Sequence, residues 1–146
     1  MMRITFKKMR ENAVLPYKAS IGAAAYDLTV SKINRQPKYD EYLTGIAMEI
    51  PEGYVGIVAP RSSISNSDSI VANSVGVIDS DYRGEVSFRT KDLYFDPLAP
   101  PTYSVGERCA QILIIKKEDI EWIEGELSET KRQGGGYGST GNWETN

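Results

Sequence analysis

Five segments of the 146-residue chain bring together groups able to do chemistry. Asp79-x-Asp81-x-x-Gly84 sets two carboxylates in a short turn. It opens like a calcium loop, but Arg83 and Thr90 stand where such a loop needs Asp or Asn and a bidentate Glu. The carboxylates either carry chemistry or bond their own backbone in a turn. Pro60-Arg61-Ser62-Ser63 offers a guanidinium and two hydroxyls, a set that can hold phosphate oxygens or simply end a strand in solvent. Gly106-Glu107-Arg108-Cys109-Ala110-Gln111 reads as a turn into a strand, with Glu107 and Arg108 as an ordinary ion pair. Gly136-x-Gly138-x-x-Gly141 fits the dinucleotide fingerprint by letter. Only five residues follow it, so the required helix and distant acidic residue have no place. No lysine follows for a Walker loop either. What survives is physical: unhindered glycine amides can wrap phosphate oxygens. The fifth segment, Ala24-Ala25-Tyr26-Asp27-Leu28, carries one carboxylate.

The composition removes other chemistries. There is no histidine and one cysteine, Cys109. Ser-His and Cys-His nucleophilic pairs, His-built zinc sites, thiolate clusters and an intrachain disulfide are thereby excluded. Net charge is −3, which argues against broad electrostatic capture of nucleic acid. No apolar run approaches the roughly 18 residues of a membrane span. MMRITFKKMR lacks the apolar stretch of a signal peptide, so a cytoplasmic location with no membrane attachment is expected. Catalysis here must run on carboxylates, hydroxyls, arginines, backbone amides or a hard metal ion.

The elements that must position these groups read as short strands. Ile4–Lys7, Tyr26–Val30, Leu43–Ile50, Tyr54–Ala59, Ile70–Asn73, Val75–Ile78, Glu85–Thr90 and Cys109–Lys116 are β-type segments divided by Gly and Pro. Ile46, Met48 and Ile50 share a face at period two. Pro51-Glu52-Gly53 suits a type I turn starting at Ile50 and predicts a hairpin into Tyr54. Only Arg61–Ser67 has any helical character. Asp92–Ser104, with three prolines and three aromatics, reads as an ordered surface loop or a subunit contact. Gln133–Gly141 has too little apolar mass for a core element and should form a mobile arm.

Taken in order, the five segments resemble the five motifs of the trimeric dUTP pyrophosphatases (dUTPases), including Asn73-Ser74-Val75-Gly76-Val77-Ile78-Asp79-Ser80-Asp81-Tyr82-Arg83-Gly84 and the arm Arg132-Gln133-Gly134-Gly135-Gly136-Tyr137-Gly138-Ser139-Thr140-Gly141. The resemblance covers nearly the whole chain. There are departures: Ala25 replaces a glycine, Ser63 stands where Gly is frequent, Ser67 replaces a lysine, and Gln133 and Tyr137 replace Gly and Phe.

The resemblance implies an all-β, jelly-roll-like distorted barrel or sandwich with little helix. Residues 1–130 would form the core and 131–146 a glycine-rich arm closing over a neighbouring subunit. It implies hydrolysis of dUTP to dUMP and pyrophosphate with Mg²⁺, in a homotrimer with shared sites and without direct nucleic-acid binding. Asp79 would be the general base, with Ser62 and Gln111 at the reacting phosphate. Arg61, Ser62 and Ser63 would contact phosphates. Asn73, Val77, Ile78 and Asp79 would hold uracil, and Tyr82 would lie against the deoxyribose. Arg132 would meet the γ-phosphate, with Tyr137 over the base and Gly138 and Ser139 along the phosphates. Asp27 would face the water shell of the metal or support the site. The related dCTP deaminases carry a catalytic Glu at the position of Arg89, and a non-catalytic nucleotide sensor would lack Asp79 or the arm. Both alternatives fit the residues less well.

Overall fold

The computed structural model describes residues 2–94, 96 and 98–135. Among these, nine strands and one 3₁₀ turn form: β1 Thr5–Lys8, β2 Tyr26–Thr29, β3 Lys32–Gln36, β4 Tyr39–Glu49, β5 Tyr54–Pro60, the turn Ser62–Asn66, β6 Ser69–Val71, β7 Gly76–Ile78, β8 Glu85–Asp92 and β9 Arg108–Lys116. One sheet is ordered β1-β4-β8-β6, with β3 also paired to β4; the other is β2-β9-β5-β7. All pairings are antiparallel. Every connection except β3 to β4 passes from one sheet to the other. The expected all-β, jelly-roll-like sandwich is what the chain forms.

The core lies between the sheets. Ile46, Met48 and Ile50 do alternate inward, and with Leu28, Val30, Tyr42, Val58, Val86, Phe88 and Ile112 they form one buried cluster. Each such side chain taken out of water stabilises the fold by about 1.5–3 kcal/mol. Strand β9 is central, between β2 and β5, so its run of Ala110, Ile112 and Ile114 packs inward.

The hairpin expected at Pro51–Gly53 does not form. β4 and β5 belong to different sheets, and the turn between them is a sheet-to-sheet corner. The amide of Tyr54 donates to the Pro51 carbonyl at 3.1 Å, and Gly53 has φ +79°. The turn is therefore shifted one residue along, with Gly at the position that needs positive φ. The segment after β8 is more than a surface loop at its end. Tyr103 is buried edge-on against Tyr42, centroids 5.2 Å apart, and the Thr102 amide donates to the Tyr42 hydroxyl at 2.9 Å. Leu93, Tyr94 and Leu98 remain exposed. After β9, residues 117–130 have no regular structure and leave Ile120, Trp122, Ile123 and Leu127 exposed.

Candidate active site

Strand register assembles one cleft. Asp27 on β2 stands opposite Gln111 on β9, which stands opposite Ala59 on β5. Residues directly opposite in an antiparallel sheet share a face. Two residues beyond Ala59 the chain leaves the sheet at Arg61 and enters the 3₁₀ turn at Ser62. Asp27, Gln111, Arg61 and Ser62 thus line a single open cleft of about 480 Å³, with Ala24, Ala25 and Arg108.

The cleft wall is ordered by charge. Nε of Arg61 lies 3.2 Å from Oδ1 of Asp27, and Nη1 of Arg108 donates to Oδ2 at 2.9 Å. The hydrogen bond to Asp27 holds the Arg108 guanidinium above its ordinary pKa. Nη1 of Arg61 also donates to the main-chain carbonyl of Arg108 at 3.3 Å. The Gln111 amide donates to the Pro60 carbonyl at 2.9 Å, which fixes its side chain at the floor. Two guanidiniums sharing one carboxylate leave a net positive wall with N–H groups to spare. Such a surface takes phosphate oxygens. Cys109, directly behind, is fully buried and its thiol is pushed up to about 12 by burial, so it is no nucleophile near neutrality.

The Asp79 segment is built elsewhere on the chain. Asp79 follows β7, an edge strand paired only with β5 among the described strands. The turn from Asp79 to Gly84 carries the chain across to β8. It is held by the Tyr82 amide donating to the Asp79 carbonyl at 3.1 Å, and by Arg83 Nη1 donating to the carbonyls of Ser80 and Tyr82 at 2.6 and 3.1 Å. Asp79 is exposed at the rim of a second cleft, with Asp81, Arg83, Glu49, Arg3 and Lys117. The Tyr82 ring folds over Gly84, its hydroxyl donating to the Glu85 carbonyl at 3.2 Å. Asn73 and Val77 are exposed and Ile78 is half-buried. The Asn73 amide donates to the Val75 carbonyl at 3.3 Å.

Within one chain, then, Arg61, Ser62, Gln111 and Asp27 come together, while Asp79 lines a different cleft. Asn73, Val77, Ile78 and Tyr82 are on the β7 side with Asp79. Ser63 is exposed in the 3₁₀ turn, and Arg132 is exposed with Nε donating to the Gly135 carbonyl at 2.9 Å. Tyr137, Gly138 and Ser139 lie outside the described residues. The ion pair expected between Glu107 and Arg108 is absent. Glu107 accepts from the Ser104 amide at 2.6 Å, and Arg108 turns to Asp27. Arg108 is the site residue that sequence reasoning missed. Its signal was a charged residue at the very start of a buried strand. The residue at the deaminase Glu position, Arg89, bonds Glu41 at 2.9 Å and stacks on Tyr39 at 4.5 Å, so it supplies no base.

Among the described residues no three His, Cys, Asp or Glu side chains gather into a metal cage. Asp27 is the carboxylate in the cleft. Oδ2 accepts a hydrogen bond from Arg108 and Oδ1 is ion-paired with Arg61, while a carboxylate has about four acceptor places in all. Capacity remains for the water shell of a hard cation brought in by phosphates, which is how Mg²⁺ is usually held.

Fold and cleft together define a jelly-roll-like β sandwich with a cleft walled by Arg61, Arg108, Ser62 and Gln111. A protein-family model for the dUTPases matches residues 11–141. The deoxyuridine 5'-triphosphate nucleotidohydrolase of Hydrogenobaculum sp. (strain Y04AAS1) is 41% identical over 145 residues, covering 96% of this chain and 99% of that protein. The Staphylococcus bacteriophage 80alpha dUTPase solved with dUPNHPP superposes with a TM-score of 0.77 at 24% identity, covering 97% of this chain and 99% of that one. A mutant dUTPase from phage phi11 of S. aureus, described for its coordination of a structural Mg(II) ion, gives 0.71 at 21% identity, covering 88% and 100%. The chain belongs to the dUTPase family.

Proposed function

We propose that this chain hydrolyses dUTP to dUMP and pyrophosphate as a homotrimer, with Mg²⁺ accompanying the triphosphate. The activity would keep uracil out of DNA and supply dUMP for thymidylate synthesis. The observation that carries this reading is the cleft in which Arg61, Ser62 and Gln111 converge around Asp27. It offers a guanidinium, a hydroxyl and an amide to one anionic group.

In this reading water attacks the α-phosphorus. A P–O bond to water forms, the bond to the bridging oxygen breaks, and pyrophosphate leaves. Asp79 takes the proton of the attacking water; a positioned base is worth about 10²–10⁴-fold. Ser62 and Gln111 hold the α-phosphate in line, and Arg61 with Ser63 meets the outer phosphates. Mg²⁺ accompanying the triphosphate would offset part of its charge, and Asp27 is the residue that would face its water shell. The outer edge of β7, unpaired among the described strands, can pair with a uracil edge through Asn73 and the backbone of Val77, Ile78 and Asp79. Cytosine would present the reversed donor pattern and leave buried groups unpaired. The Tyr82 ring against the deoxyribose would refuse a 2′-hydroxyl. Arg132 would meet the γ-phosphate, while Tyr137 would stack on the base and Gly138 and Ser139 would line the phosphates.

The homotrimer is supported by two features of the single chain. Asp79 and the phosphate cleft do not meet, so a complete site needs residues from a second copy. Ile120, Trp122, Ile123 and Leu127 are exposed at 67%, 89%, 81% and 95%, a run of large apolar side chains within eight residues that a second copy could cover. Phosphate release with added pyrophosphatase, compared across dUTP, dCTP and UTP, tests the reaction. Turnover of dUTP alone is expected; turnover of dCTP or none at all refutes it. Light scattering should give about three times 16.2 kDa, and an active monomer would contradict the shared site.

A further inference from the structure

Arg108 enters the phosphate cleft because of a bulge. Strict alternation along β9 would put Arg108 on the face of Ala110 and Ile112, both buried. The pairing with β2 instead steps from Leu28 opposite Ala110 to Thr29 opposite Arg108, leaving Cys109 unpaired. One extra residue in a strand turns the side chains beyond it to the opposite face. Cys109 therefore sinks into the core, its thiol 3.6 Å from the Leu28 carbonyl, and Arg108 emerges beside Asp27.

Arg108 constrains Arg61 in two ways. Its guanidinium occupies Oδ2 of Asp27 while Arg61 occupies Oδ1, and its own carbonyl accepts from Arg61 Nη1. A carboxylate held at one oxygen can still turn. Held at both, and 9% exposed, it presents a fixed anchor. Arg61 is then oriented with its remaining N–H groups outward, before any ligand arrives.

We propose that Arg108 is a positioning residue for phosphate binding: by locking Asp27 it holds the Arg61 guanidinium in the orientation that receives the substrate. The proposal rests on the dUTPase reading of this cleft. Arg108 acts chiefly through Arg61, so most of the effect of its removal should vanish once Arg61 is gone.

The test is a double-mutant cycle on the full chain with Arg108→Gln, Arg61→Gln and both, assayed with Mg²⁺. The readouts are kcat and KM for dUTP, the Kd of a non-hydrolysable α,β-imido dUTP analogue, and thermal unfolding. Arg108→Gln should raise KM and the analogue Kd about tenfold, the weight of one well-placed charge-assisted contact, with a smaller change in kcat. In the Arg61→Gln background the same change should cost less than about twofold. Arg108→Lys should recover only part of the loss, because an ammonium cannot reproduce the planar fork, and it carries the cycle if the Gln variant does not fold. Unchanged KM and Kd in a folded Arg108→Gln, or losses that simply add to those of Arg61→Gln, overturn the proposal. A wild-type chain that neither hydrolyses dUTP nor binds the analogue overturns the functional reading itself.

Discussion

Replacing Gly84 by alanine should damage catalysis without unfolding the protein. A Cβ on Gly84 would lie 2.3 Å from Oη and 2.4 Å from Cζ of Tyr82. Gly84 is not among the positive-φ glycines, so its backbone accepts alanine and only the contact is at stake. The ring tip must retreat by about 1 Å to reach van der Waals distance. Tyr82 is 44% exposed, so it has room to move. The fold would lose one exposed hydrogen bond, Oη to the Glu85 carbonyl, worth about 0.5–1.5 kcal/mol or a few degrees in Tm. With Tyr82 against the deoxyribose as proposed, misplacing its ring by this distance would cost catalysis up to about 10²-fold. The assay is kcat/KM on dUTP and UTP beside a melting curve. The dUTP value should fall about 10- to 100-fold, and the preference over UTP should shrink. On a Tyr82→Ala background Gly84→Ala should add nothing, because the atoms it strikes are gone. Full activity with unaltered preference refutes the reasoning, as does an equal effect without the ring.

Asp79→Asn keeps shape but removes the proposed proton acceptor, so kcat should fall at least about 10²-fold with little change in analogue affinity. Deleting residues 131–146 should leave Tm near wild type, since the described core residues all precede them, while turnover drops steeply; full turnover would remove the arm from the mechanism. Tyr137→Phe should be nearly silent, and Tyr137→Ala should cost about 1–3 kcal/mol in kcat/KM by loss of stacking. Acid stability should depend on Glu85. Burial pushes its carboxyl up, but the hydrogen bonds from Arg10, at 2.5 and 2.7 Å, and from the Gly45 amide outweigh burial and hold it below the usual value. That stabilisation is present above about pH 5 and is lost as pH falls through the folded pKa. Glu85→Gln should therefore lower Tm at pH 7 and flatten its decline in acid; parallel Tm–pH curves would contradict this.

The strands with an apolar period were legible in the sequence to within two residues or so. β3 and the first half of β4 were not. Lys32–Gln36 holds one large apolar residue, Ile33, and pairs Asn34 with Glu41 and Arg35 with Asp40 across a half-solvated ladder. Polar cross-strand pairs leave no period-two signature. The corner at Pro51–Gly53 reads as a hairpin in the sequence because turn chemistry reports a change of direction, not which sheet receives the next strand. For the site, Arg61, Ser62, Gln111 and Asp27 were recognisable from their motifs. Arg108 was not, because the bulge at Cys109 reverses the alternation on which a face assignment rests. That Asp79 and the cleft occupy separate regions of one chain follows from the antiparallel β5–β7 register, which sets Asp79 beside the start of β5 while Arg61 follows its far end, and no local pattern encodes that pairing.

The turn from Asp79 to Gly84 has one foot on each sheet: β7 lies in the β2-β9-β5-β7 layer and β8 in the other. Its geometry is therefore a gauge of the gap between the layers. Val86, 1% exposed on β8, sits seven residues downstream of Asp79 and sets one side of that gap. Close-packed interiors transmit such displacements instead of absorbing them. A repacked core that melts at the same temperature but changes the layer spacing would still move the carboxylate. If Asp79 serves as the proposed base, turnover depends on residues that never meet the substrate, and a stabilising core design has to be judged by rate as well as by Tm.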